Sequence, residues 1–277
     1  MSIFDGFGSV VDEWLGIDND WDGASPRYRH KSSLNKLCEK NVPVGTGKEL
    51  VTALYERLNR NWDGMPSTGR QNWRHTQNLS LNKDSTSLEI TLQRTFMQAM
   101  EAKNETDWAN EVPVASGVAD TSSDSVDFVV ATDSGYSMIE LKWPRPSSPS
   151  ENPLKAAIQV LRYGLAYVFS RVNADELEYK IEDKPILQAS EVHLRVLAPQ
   201  HFYQLSNSGN DWLKNLEIAL NVGISSLAKH HNLTMSFAYE QFPPTFEWVP
   251  ADCDDDNKRK TVVEAFQNRK RVFCVRS

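Results

Sequence analysis

The feature that most constrains how this chain can fold is a strand-like segment with two opposite charges on one of its faces. In YSMIELKW (136–143) a period of two sets Met138, Glu140 and Lys142 on one side and Ile139, Leu141 and Trp143 on the other. The preceding VDFVVATD (126–133) places Val126, Phe128 and Val130 on one face and Asp127 on the opposite one. A two-residue turn at Ser134 and Gly135 would pair Asp133 with Tyr136, setting Asp127 across from Lys142 and diagonal to Glu140. A loop one residue longer or shorter would carry Asp127 to the other face. The alternation therefore predicts a hairpin that gathers two acids and a lysine on one side of a sheet.

Such a group is costly to bury without compensation. A hard divalent cation would supply it: magnesium accepts one or two carboxylates, keeps several waters and leaves room for phosphate oxygens. Bound there it could polarise a scissile phosphate and lower the pKa of an attacking water, with Lys142 steering that water or stabilising developing charge. Strand spacing equally permits a solvated cross-strand ion pair on an open face, where Lys142 would add little to stability.

The rest of the chain supplies a scaffold. SLEITLQRTFMQAM places Leu88, Leu92, Phe96 and Met100 four apart, one stripe of a helix. WANEVPVASGV reads as a first strand before the hairpin, and Asn152 with Pro153 caps a helix running to about Arg171. EVHLRVLAPQHFY gives a strand, DWLKNLEIALNVGISSLAKHH a helix and LTMSFAYEQF a last strand. This order predicts a mixed α/β fold whose sheet contains an antiparallel hairpin. Residues 1–80 predict irregular structure with one or two helices, one opening on a capping box from Thr46 to Glu49.

Asp127 followed by a hairpin and then Glu140, Leu141 and Lys142 resembles the motif of the PD-(D/E)XK, restriction-endonuclease-like nucleases, with Val126 where the motif has proline. Gln159 and Tyr163 resemble the Gln-xxx-Tyr pair of the RecB-like branch. The resemblance covers about residues 84–205. It implies an αβββαβ core with a mixed central sheet flanked by helices, and metal-dependent hydrolysis of DNA phosphodiester bonds. It also implies Asp127, Glu140 and Leu141 as metal-holding positions for Mg2+, with Mn2+ able to substitute, and Lys142 as the group assisting the nucleophile. Gln159 and Tyr163 would face the site, and Glu89 would present an acid from the first core helix; Thr86 and Glu89 also fit a capping box, which gives Glu89 a structural use.

Substrate contacts are expected from Lys155 and Arg162, which share the helical face of Gln159 and Tyr163, and from Arg70 and Arg74 in RLNRNWDGMPSTGRQNWRH (57–75). In that segment Trp62 and Trp73 could stack on bases or anchor the loop to its own core. The formal charge of −7 argues against non-specific coating of nucleic acid, yet residues 257–277 hold seven basic side chains against one acid, Glu264. DNA is thus the expected partner, with a protein partner supplying affinity and homo-oligomerisation left open. The alternative is a non-catalytic nucleic-acid-binding or scaffold subunit that keeps the nuclease fold. No run reaches the roughly 18 apolar residues of a membrane helix, and the acidic start and scattered cysteines (Cys38, Cys253, Cys274) predict a cytoplasmic protein. The expected organisation is an accessory segment at 1–80, a core at 84–250 and an acidic-then-basic segment at 251–277.

Overall fold

In the computed structural model, residues 2–17, 27–38, 46–67, 69, 71–81, 85–114, 124–144, 151–205 and 209–273 are described. Three helices precede the core: α1 (Phe7–Trp14), α2 (Lys31–Leu37) and α3 (Gly47–Asn61). Then come α4 (Leu88–Glu101), β1 (Trp108–Pro113), β2 (Ser125–Ala131), β3 (Tyr136–Leu141), α5 (Pro153–Val172), the single turn α6 (Pro185–Gln188) and β4 (Glu191–Ala198). The chain continues with α7 (Gly209–His230), β5 (Thr234–Gln241), α8 (Asp256–Gln267) and the two-residue β6 (Lys270–Arg271). The strands form one sheet in the order β1-β2-β3-β4-β5-β6. β3, β4 and β5 run parallel, and the other neighbours are antiparallel. This is a mixed α/β fold with helices on both sides of a mixed sheet.

Local chemistry accounts for where the helices begin. Asn152 accepts a bond from the Lys155 N–H at 2.8 Å with Pro153 in the first turn of α5, and Asp255 caps α8 through the N–H groups of Asn257 and Lys258. Two expected caps are different. The Thr46 hydroxyl accepts from Trp14 Nε1 at 2.8 Å and gives α3 no side-chain cap. At α4 the cap is Ser87, whose hydroxyl accepts from Ile90 N–H, so Glu89 is left for another use.

One core lies between the sheet and α3, α5 and α7, and includes Ile3 ahead of α1, Phe7, Val11 and Leu34 from the first helices, and Met138, Val196 and Tyr239 from the sheet. The second lies on the opposite face, where Leu92 and Phe96 of α4 and Val262 and Phe266 of α8 cover Phe128, Ile139 and Leu141. Phe96 and Phe266 stack at 4.0 Å between ring centroids. Helices α3 and α7 approach until a Cβ on Gly223 would lie 2.3 Å from the Gly47 carbonyl oxygen, a distance only glycine permits. Among the described residues no helix is long and apolar enough to cross a membrane.

The open edge of β5 is closed by a stripe of α7 side chains. Glu217, Asn221 and Ser225, four residues apart, face the unpaired backbone. Glu217 accepts from the Tyr239 N–H at 2.9 Å, Asn221 both accepts from Phe237 N–H and donates to its carbonyl, and Ser225 donates to Met235 O. Burial pushes the Glu217 carboxyl up to about 7, against the lowering effect of that N–H. Because the folded chain binds this proton more tightly than the unfolded one, stability is greatest below the ordinary carboxyl pKa and falls as pH rises from 4.5 to about 7. Glu217→Gln keeps an acceptor for Tyr239 and should flatten that slope, gaining about 1–3 kcal/mol above neutrality. Urea unfolding across this range is the measurement; parallel wild-type and variant curves would refute it.

Candidate functional site

The hairpin forms, but with a different register. Phe128 pairs with Ile139 and Ala131 with Tyr136, leaving a four-residue loop, 132–135, where a two-residue turn was expected. The loop is closed by the Thr132 N–H donating to Gly135 O at 2.9 Å and the Gly135 N–H donating to Thr132 Oγ1 at 3.1 Å. A side chain at 135 would collide with the Glu191 carbonyl, where a Cβ would stand 1.9 Å from the oxygen. Continuing this register sets Asp127 directly opposite Glu140. The pairing is two residues from the expected one, and because two is the strand period the face is unchanged.

Asp127, Glu140 and Lys142 therefore meet, joined by Glu89. Lys142 Nζ is 2.5 Å from Glu140 Oε1 and 3.7 Å from Glu89 Oε2. The Leu141 N–H donates to Asp127 Oδ2 at 2.8 Å, and the Trp143 N–H to Glu89 Oε1 at 3.0 Å. Glu140 is 0% exposed and Lys142 6%. Beyond Lys142, no other donor among the described residues reaches either Glu140 oxygen.

Proton affinities reflect this enclosure. Burial first, then Glu140, raises the Asp127 carboxyl well above its usual range, while Lys142 and the Leu141 N–H oppose the rise. Burial likewise raises Glu140, with Lys142 pulling the other way. For Lys142, burial disfavours the charge, but Glu140, Glu89, Asp127 and Glu151 outweigh it and hold the ammonium well above its ordinary value. Lys142 thus stays charged and is the group that makes the buried carboxylates tolerable.

Gln159 Nε2 donates to the Tyr163 hydroxyl at 2.9 Å on α5, and the buried phenol is raised well above its ordinary value by desolvation and by Glu140 and Asp127. These two residues do face the cluster. Three of the four expected substrate-binding cations have acidic partners within the chain. Lys155 pairs with Glu151 at 2.5 Å. Arg162 pairs with Asp124 at 2.7 Å and lies over the Phe4 ring. Arg74 sits 3.9 Å from Asp183, and Arg70 lies outside the described residues.

No family model, curated protein or solved structure matches the chain. Among the described residues, no group of three or more His, Cys, Asp or Glu side chains could hold a metal ion. These findings correct the sequence-based expectation of a magnesium-dependent nuclease. The hydrolase assignment and the Mg2+ or Mn2+ cofactor at Asp127, Glu140 and Leu141 are withdrawn with it. The physical reason lies in where the carboxylates point: Asp127 toward the Leu141 N–H, Glu89 toward the Trp143 N–H, and Glu140 toward an ammonium already in place. Leu141 is 1% exposed, its side chain in the second core. The strand pattern also gave no hint that Lys142 is buried; that follows from α5 crossing this face, and the expectation of an open, solvated face is corrected.

Residues that sequence reasoning missed lie on the opposite face of the sheet, beginning on the strand next to β3. Arg195 is 6% exposed and bonded through Nε to Glu240 at 3.3 Å, which Arg269 also contacts at 2.8 Å. The available signal was an arginine in the middle of the apolar run VHLRVLA.

Proposed function

We propose that this chain is a non-catalytic nucleic-acid-binding subunit of a larger cytoplasmic assembly, built on a restriction-endonuclease-like core. The observation that carries the reading is the closed network at the motif position: Lys142 bridges Glu140 and Glu89 under α5, so charges of the nuclease pattern serve the fold. The element order α4, β1, β2, β3, α5, β4, with β3 and β4 parallel, supports the restriction-endonuclease-like assignment. Exposed cations at Lys258, Lys260, Lys270 and Arg271 support a phosphate-bearing partner. The overall charge of −7 supports an assembly in which another subunit adds affinity.

Fluorescence anisotropy with labelled single-stranded and duplex DNA, in EDTA and at low salt, tests the reading. Binding should occur without any divalent cation and weaken steeply as salt rises, as phosphate contacts require. Absence of binding to either DNA at low salt would overturn the nucleic-acid assignment. Cleavage of the bound DNA on adding magnesium, abolished by Lys142→Met, would overturn the non-catalytic one.

A further inference from the structure

Where β4, β5 and β6 lie side by side, the sheet face turned away from Glu140 gathers arginines around Glu240. Ile139 neighbours Arg195 across the β3–β4 ladder while Glu140 neighbours Val196, so Arg195 points to the opposite side from the Lys142 cluster. Arg195 shares its face with Ser236 and Glu240 of β5. Arg195 Nε lies 3.3 Å from Glu240 Oε1 and Arg269 Nε 2.8 Å from Oε2, while Arg271 stands directly opposite Glu240 in the β5–β6 pair. Glu217 of α7, at the β5 edge, also lies within electrostatic reach of Arg195 and Arg271, so three guanidinium groups stand against two carboxyl groups and the cations remain in excess by one. The nearby Glu191 lies 3.1 Å from Nε2 of His193, whose ring is held toward the neutral form by burial and by Arg195.

The three arginines differ in what they can reach. The Nη atoms of Arg195 donate to Leu194 O and Ser236 Oγ, which fixes this buried group in place. Arg269 is tied to Glu240 and, through Nη1, to Phe266 O at 2.6 Å. Arg271 is exposed and makes no ion pair among the described residues. Its neighbour Lys270 lines a cavity of about 380 Å³ with Glu264 and Pro243. Fixed, partly desolvated positive charge behind one free guanidinium is an arrangement that attracts an oxyanion, because the field is weakly screened and the planar fork matches phosphate oxygens.

We propose that this face is a phosphate-binding patch, in which Arg271 contacts a phosphate oxygen directly and Arg195 and Arg269, held by Glu240, supply the field that draws it in. The inference rests on the nucleic-acid reading only for the source of the phosphate, which is a phosphodiester of the bound strand.

The full-length protein, its Arg271→Gln and Arg271→Lys variants, and Lys48→Gln as a control on α3 would each be titrated with inorganic phosphate and with a short single-stranded oligonucleotide at constant ionic strength. A salt series on the oligonucleotide completes the set. Arg271→Gln should weaken oligonucleotide binding about tenfold and reduce the salt slope by about one, and Arg271→Lys should fall between it and wild type. Lys48→Gln should match wild type. Oligonucleotide binding unaffected by Arg271→Gln would overturn the patch while leaving the nucleic-acid reading intact. Phosphate binding lost in Arg271→Gln, with no oligonucleotide bound by wild type, would uphold the patch and overturn the nucleic-acid source. Binding of neither ligand by wild type would overturn both.

Discussion

Lys142→Met is expected to destabilise the protein by about 3–5 kcal/mol, the usual cost of removing one partner from a buried ion pair and leaving the other charge uncompensated. Glu140 has no other donor among the described residues, and Asp127 and Glu89 sit close enough to add their repulsion once the ammonium is gone. The loss should depend on pH in a definite direction. Lys142 lowers the pKa of both Asp127 and Glu140, so in the variant these carboxyls, already raised by burial, rise further. The folded variant then binds protons more tightly than its unfolded chain, and its stability falls as pH climbs from the ordinary carboxyl range. The destabilisation should therefore be greater near about pH 8 than near about pH 5. Glu140→Gln in the same chain should recover part of the loss, since it removes one of the stranded charges. Guanidinium unfolding of the single and double variants at both pH values is the measurement. A single variant within about 1 kcal/mol of wild type would show that the cluster is solvated and that its charges are free for other chemistry.

This cluster also shows how far the sequence could be read. The period of two placed Asp127, Glu140 and Lys142 on one face correctly, because a face survives any register error of an even number of residues. It could not give the register itself, which depends on a four-residue loop fitted around Gly135 and the Glu191 carbonyl from a strand more than fifty residues away. Nor could it tell a metal site from an ion pair. Both need the same residue types on the same face, and the difference lies in where each carboxylate's lone pairs point. That is decided by the backbone N–H groups of Leu141 and Trp143. The helix–strand order of the centre was legible because apolar periodicity is strong there. The first 80 residues were less so: α1 and α2 are short, their buried residues are few, and what orders them is contact with α3 and the core. The brief β6, with only two paired residues, leaves no periodic trace at all.

Trp73→Ala should cost about 3–5 kcal/mol, which places the tryptophan-rich 57–75 segment among the supports of the fold. The Trp73 ring is 0% exposed and meets Tyr167 edge-on with centroids 5.9 Å apart. Its Nε1 donates to Ser170 Oγ at 2.9 Å, and its backbone N–H donates to Pro113 O at 2.9 Å, tying the segment to α5 and to the edge strand β1. Its φ of 61° lies in the left-handed region, unfavourable for a side chain of this size, so the surrounding contacts must outweigh a local strain of about 1 kcal/mol or more. Alanine would keep most of that strain while losing the ring, the indole hydrogen bond and the filled volume, which is why the effect should fall at the upper end for a buried aromatic. The neighbouring anchors act on the same stretch: Asn72 Nδ2 donates to the Tyr179 hydroxyl at 3.2 Å, and Lys184 Nζ to Asn72 O at 2.5 Å. Trp62 is different, half-buried and edge-on to Phe169 at 5.2 Å, with its Nε1 bonded to Met65 O. The equilibrium unfolding midpoint of Trp73→Ala, read beside its oligonucleotide affinity, separates the two uses of this residue. If the variant stays within about 1 kcal/mol of wild type but loses oligonucleotide binding, the indole belongs to the binding surface and its burial in the fold is secondary.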